Sequence, residues 1–430
     1  MGTLLNNTLS THNGSYLKFI PSLDQLGKTI YLIVVQLIAK AQFDRALSHA
    51  SDLLKFIQLL KTWKNYDSEK LDKELASLAL RTSDVLLQGA GKLEEVKITP
   101  VQRASHLCIV LDWRKLSLLF QAEAIMHSSL KSLVDRALKC GTKYQVDCGQ
   151  KSVNFKYLEC FFESIFNVLL TKTELLSSNG KDSTLLLVEL GFHYGRICNK
   201  AGSSTQALVV FDKLLEIARN ASHSKNGQSK HQIPSQVCCC VCLVCKVALS
   251  INCATSAKSQ TQDSCHQILC ETNKLVSQVL KCKTLPSPML KLLSDSLEYF
   301  RIILQNVWSK QTDNIKEKPP ALTWRTFQGV VELLQSYVSV LSLQCEHLKA
   351  ELHSVNSDDA VPQLRQQLQK ITDRQLTVLS FVISSYQDQL KSEKDGLKNC
   401  NRNSRSVVKD FVFLYIDELQ VSGFCLVHSI

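Results

Sequence analysis

Apolar residues return every three or four positions along most of this chain, and short polar turns separate the periodic stretches. Between 42 and 63 the face is explicit: Ala46, Ala50, Leu53, Leu54 and Ile57 line one side, and 22–40 repeats the period, so the two stretches read as a helix pair. A third helix is predicted from Ser68 to about Leu87, with Gly89 and Gly91 closing it. Thr99-Pro100-Val101-Gln102 reads as a capping box, Thr at the cap, Pro at the first helical position and Gln three residues after the cap. It predicts a long helix to about Cys140, with a break near 127–129, and another from Val153 to Leu176. Beyond the polar stretch 221–236, helices are predicted at 237–252, 262–282, 288–309, 322–353, 361–391 and 405–421. Two-residue alternation, the mark of half-buried strands, hardly occurs.

One pair carries a repeat chemistry. Leu190-Gly191 and Tyr194 fall on one predicted helix, and Ala207, Phe211 and Leu214 on the next. These spacings resemble a tetratricopeptide repeat, apart from about four extra residues between the half-patterns. Ser203 to Gln206 reads as a second capping box. Helices in series with short turns and no sheet imply an all-α protein, an elongated α-solenoid of antiparallel helix pairs, tetratricopeptide- or HEAT-like. The expected organisation is a disordered 1–15, a helical-repeat segment 16–220, a polar linker 221–236 and a second helical-repeat segment 237–390. A basic linker 391–406 and a terminal helix 407–430, ending as a truncated or alternatively spliced product would, complete it.

Composition narrows the function classes. A chain of 430 residues exceeds the roughly 250–300 at which one core stops growing, which fits a repeat array. The net charge of +11 is spread, because Lys and Arg are interleaved with acids; it reads as solvated helix faces rather than a basic patch. The apolar run 31–39 is too short to span a bilayer and the first residues lack a basic signal region, so no membrane role is expected. The basic stretch 391–409 has Phe411 and Tyr415 only beyond its end, which disfavours nucleic acid.

The cysteines pose the sharpest question. Nine of the 17 lie between 238 and 282, and 236–245 reads QVCCCVCLVC. A zinc reading pairs Cys242 and Cys245 with Cys265 and Cys270, or His266, as soft tetrahedral ligands. Yet 237–251 contains neither Gly nor Pro, and only Lys246 and Ser250 are polar outside the thiols, so nothing bends the chain into a knuckle. On a helical wheel Cys238, Val241, Cys242, Cys245, Ala248 and Leu249 form one stripe, and Cys240, Leu243, Val244, Val247 and Ile251 another. A helix apolar nearly all round is expected to be buried, its thiols packing as small apolar groups. No cofactor is expected.

No G-x-S-x-G, P-loop, G-x-G-x-x-G or H-E-x-x-H occurs. His193 reads as a packed or half-exposed side chain, and the pairs Glu94-Glu95 and Asp358-Asp359 as solvated turn residues.

Several segments resemble, in order, the N-terminal helical region of animal separase, the cysteine endopeptidase that cleaves cohesin. They are IYLIVVQLIAKAQFDRALSHASDLLKFIQLL (30–60), ALRTSDVLLQGAGKL (79–93), KLVSQVLKCKTLPSPMLKLLSDSLEYFRIIL (274–304), GVVELLQSYVSVLSLQCEHL (329–348) and DRQLTVLSFVISSYQDQ (373–389). The resemblance implies a regulatory scaffold for sister chromatid separation, holding the inhibitor securin along the superhelix beside the protease domain of the full-length protein. It also implies a cytoplasmic and nuclear location, at the spindle and centrosome in mitosis. The family's catalytic dyad is a His followed by Gly and a Cys preceded by Gly, and neither dipeptide occurs here, so this chain is expected to be non-catalytic. An unrelated tetratricopeptide-like adaptor and a zinc-stabilised helical protein are the alternatives.

Overall fold

The structure is a computed structural model, and it describes residues 20–62, 69–96, 98–99, 102–124, 130–149, 153–172, 182–223, 232–254, 260–282, 285–313, 324–354 and 360–394. Among them every regular element is an α-helix: α1 (Ile20–Ala39), α2 (Phe43–Thr62), α3 (Glu69–Glu94), α4 (Arg103–Glu123), α5 (Leu130–Cys148), α6 (Phe155–Thr171), α7 (Asp182–Lys200), α8 (Ser204–His223), α9 (Gln232–Ala254), α10 (Gln260–Leu280), α11 (Ser287–Asp313), α12 (Trp324–Ser354) and α13 (Val361–Lys394). The chain divides into two compact units, Met1–Ala207 and Leu208–Ile430, the boundary falling within α8.

The turns follow from local chemistry. After α1 the chain reverses through Ala41 at φ 54, and the amide of Gln42 reaches back to the carbonyl of Leu37. Gly202, at φ 82, does the same after α7, with Ser203 donating to Cys198. Both satisfy carbonyls that a helix end leaves open. Asn154 caps α6, its side chain accepting from the amide of Tyr157 at 3.1 Å.

In the first unit, helices pack on neighbours one or two places away. Consecutive helices run in opposite directions: on α3 and α4, Ser83 meets Ser117, Gly89 meets Trp113 and Glu94 meets Arg114. Alternate helices run in parallel, as Phe43 on Trp113 and Gln58 on Glu123 show for α2 and α4. The second unit repeats the scheme. Glu298 with Tyr337 and Trp308 with Phe327 set α11 antiparallel to α12, while Asp295 with Arg374 and Trp308 with Phe381 set α11 parallel to α13. Serial stacking of antiparallel helices is the solenoid pattern, and each unit is an all-α array of that kind.

Several boundaries differ from expectation. Helix α3 runs through Gly89 and Gly91 to Glu94, because Gly89 is a contact rather than a stop: a Cβ there would lie 2.4 Å from the Trp113 ring. The box at Thr99 does not cap α4. That helix starts at Arg103 with Gln102 at the cap and no side-chain cap bond, and the Thr99 hydroxyl donates instead to Gln102 Oε1 at 3.0 Å. The helix predicted to Cys140 with a break near 127–129 is two helices, α4 ending at Glu123 and α5 starting at Leu130, and α5 runs on past the expected end to Cys148. The Ser203 hydroxyl donates to Glu159 at 3.2 Å and Gln206 donates to Tyr194 at 3.3 Å, so the second predicted box is spent on neighbouring helices. Residues 221–223 and 232–236, assigned to a linker, are helical, as are 391–394. Glu94 is no solvated turn residue; it ends α3 and pairs with Arg114 and, at 3.8 Å, with Lys143. The stretches 1–15 and 407–430, and the pair Asp358-Asp359, lie outside the described residues.

Candidate functional site

The thiol-rich stretch lies on α9. Every residue from Val237 to Cys245 is buried, as are Val247, Ala248, Leu249 and Ile251, so both predicted stripes are covered, chiefly by α10 and α11. Helix Ile233–Cys253 is long and apolar enough to cross a membrane by length and composition, and 72% of its apolar window is buried inside the protein. Its one cation, Lys246, reaches the Asp212 carboxylate on α8.

This placement separates the proposed zinc ligands. Cys242 and Cys245 are fully buried and Cys265 nearly so, whereas Cys270 is exposed, with its sulfur 3.5 Å from Nε2 of His266. No three or more His, Cys, Asp or Glu among the described residues gather to hold a metal ion, and the set of Cys242, Cys245 and Cys265 with Cys270 or His266 is included in that finding. Burial drives the thiols of Cys240 and Cys242 well above the ordinary range and that of Cys265 up to about 11, which disfavours the thiolate that a metal or redox site needs. Nor does His193 join a cluster of ligands: it is half-buried, its ring edge-on to Phe192.

The surface feature with the geometry of a binding site is a groove in the second unit. Helices α10 and α12 touch closely at Gly329, where a Cβ would lie 2.8 Å from Leu269, and the carbonyl of Gly329 accepts from the Asn273 amide at 2.9 Å. From this pinch an open groove of about 810 Å³ runs along α12. Glu332, Ser336, Ser339, Ser342 and Glu346 recur every three or four residues, so one face of α12 supplies one wall. Asn273, Ser277, Leu280 and Lys281 form the facing wall, and Leu379 of α13 contributes apolar surface.

The groove's hydrogen-bonding character follows from where its protons already point. Ser336, Ser339 and Ser342 each donate to the carbonyl four residues earlier, on Glu332, Gln335 and Val338, at 3.1–3.2 Å. Asn273 spends its amide N–H groups on Gly329 and on Glu332 Oε2, at 3.1 Å, and its Oδ1 has no partner. Among the described lining residues the carboxylates of Glu332 and Glu346 stand against one cation, Lys281. Sequence reasoning missed it: the Glu-Ser-Ser-Ser-Glu stripe is visible in 332–346, but so is a polar face on most of the helices.

The tetratricopeptide-like residues Leu190, Gly191, Tyr194, Ala207, Phe211 and Leu214 are all buried, as fillers of a helical repeat should be. No family model matches the chain, and no curated protein matches it. Among solved structures it is similar to a circular tandem repeat protein with novel repeat topology and enhanced subunit contact surfaces, at 11% identity and a TM-score of 0.27, over 95% of this chain and 99% of that one. So faint a likeness carries no argument here.

Proposed function

We propose that this chain is a non-catalytic helical-repeat scaffold that holds an extended segment of a partner protein in the groove between α10 and α12. The groove itself is the observation that carries the reading. It is long and open, and it sets apolar surface from Leu280, Val338, Leu343 and Leu379 beside the polar groups of Asn273 and α12, a mixture that suits an extended polypeptide with both side-chain and main-chain groups to satisfy. A stack of helices offers such a surface without moving, so the ordering cost falls on the ligand.

The finer form of the proposal is that the chain is the regulatory N-terminal region of a separase and that the segment belongs to securin. Its support is the order of the resembling segments at 30–60, 79–93, 274–304, 329–348 and 373–389; three of these, 274–304, 329–348 and 373–389, contribute residues of the groove. The test is anisotropy of labelled securin from the same organism, titrated with the full chain and with a Ser339→Arg variant that fills the groove. Saturable binding weakened at least tenfold by the variant is expected. Saturable binding indifferent to the variant would move the site elsewhere, and no binding by a helical chain would remove the securin assignment.

A further inference from the structure

The groove's chemistry specifies its ligand further than its shape does, and this step rests on the groove being a peptide site. We infer that the segment it takes is basic, with two Lys or Arg side chains spaced to reach Glu332 and Glu346 together. The two carboxylates stand about four turns apart on one face of α12, about 21 Å at 1.5 Å per residue. An extended chain rises about 3.4 Å per residue, so about six residues separate the two cations. Both glutamates are exposed and accessible to a ligand. Between them Ser336 and Ser339 have donated inward to α12, which leaves lone pairs on their oxygens as acceptors for peptide N–H groups, while Ser342 already accepts from Gln375 at 3.0 Å. A ligand with donors and positive charge suits both carboxylates and the Ser336 and Ser339 oxygens, whereas an acidic segment would set carboxylates against carboxylates. Among the described lining residues Lys281 has the opposite preference, and it lies on the facing wall just past the end of α10. The local charge is thus opposite in sign to the chain's net +11. A partner drawn in by the overall field would still present a basic stretch to this groove.

The experiment uses the full chain and fluorescein-labelled peptides of about ten residues in a Ser/Gly background, carrying two lysines at separations of three, six or nine, or two glutamates at six. Lysines six apart should bind at least tenfold more tightly than the glutamate peptide and several-fold more tightly than the other spacings, with a steep loss at high salt. Glu332→Gln with Glu346→Gln should abolish the preference, and Glu332→Lys with Glu346→Lys should reverse it. Equal binding of lysine and glutamate peptides, each weakened by Ser339→Arg, would overturn the charge inference and leave the peptide site standing. If no peptide binds while circular dichroism reports a helical chain, the peptide site itself falls. Concentration-dependent dimerisation abolished by Ser339→Arg would give the groove to a second copy of the chain and overturn the inference.

Discussion

In the first unit a charged group ties together three helices, whereas in the second the central helix is sealed by apolar groups and thiols. Glu123, 7% exposed at the end of α4, accepts from Lys172 at 2.9 Å and from Gln58 at 3.1 Å, with Lys61 at 3.5 Å. Both lysines also donate to backbone carbonyls at the end of α4, so they cap that helix where its dipole is negative. Helix α9 in the second unit has no such device between Val237 and Cys245. The ion pairs described in that unit join two helices at most, Lys246 with Asp212, Arg219 with Glu271 and Arg374 with Asp295, and Arg301 with Glu298 at 2.7 Å sits within α11 and meets α12 through the Tyr337 hydroxyl. The difference teaches that helix stacking accepts either means of closure, but the two should fail under different insults.

The largest expected effect breaks the apolar seal. Cys242→Asp places a carboxylate where no water or cation reaches, and should cost at least about 4 kcal/mol, read as a lost or strongly lowered thermal transition by circular dichroism. Next is Glu123→Gln, which leaves two half-buried lysines without their shared anion and should cost about 3 kcal/mol in urea denaturation.

The same carboxylate gives the comparison a pH signature. Burial pushes the acid up, but Lys172, Gln58 and Lys61 outweigh it and hold Glu123 below the ordinary 4.5. In the unfolded chain the group takes its proton first, so its stabilisation is complete above about 4.5 and is lost as pH falls through the lower native value. Stability measured from pH 6 to 3 should therefore decline less steeply in Glu123→Gln. An unchanged slope would deny Glu123 this role.

Smaller still is a pair of glycines, one in each unit. Gly89→Ala meets a ring packed on Phe43 and fully buried, and should cost about 1–2 kcal/mol after the helix-propensity gain. Gly329→Ala meets the buried Leu269 at its Cδ2 and Cγ, a single side chain in place of a fixed indole ring, and should cost less, about 1 kcal/mol. Ala41→Gly, relieving a left-handed alanine, should stabilise by about 0.5 kcal/mol in the same denaturation assay.

Much of this fold was legible in the sequence, for local reasons. The period of 22–40 and 42–63 was correct to within a few residues, and so were the predicted helices at 237–252, 262–282, 288–309, 322–353 and 361–391, because an apolar stripe needs only its own spacing to declare itself. The all-round apolar character of 237–251 announced a buried helix, and α9 is one. Where prediction failed, a side-chain partner had overridden the local rule, in two of three cases a distant one. Gly89 reads as a helix stop until Trp113 is laid over it. Thr99 reads as a cap until its hydroxyl turns to the Gln102 side chain. Glu94 looks solvated until Arg114 and Lys143 arrive from the next two helices.

The groove marks the division most clearly. Sequence by itself determined that α12 carries Glu332, Ser336, Ser339, Ser342 and Glu346 on one face, since 3.6 residues per turn leaves no alternative. Only the tertiary structure decided that α10 closes on that face at Gly329 and then leaves it open, turning an ordinary polar stripe into a walled channel of acceptors. Helical periodicity is a short-range property written in each segment, whereas a groove is a distance between two segments, set by which residues of one helix are small enough for the other to approach.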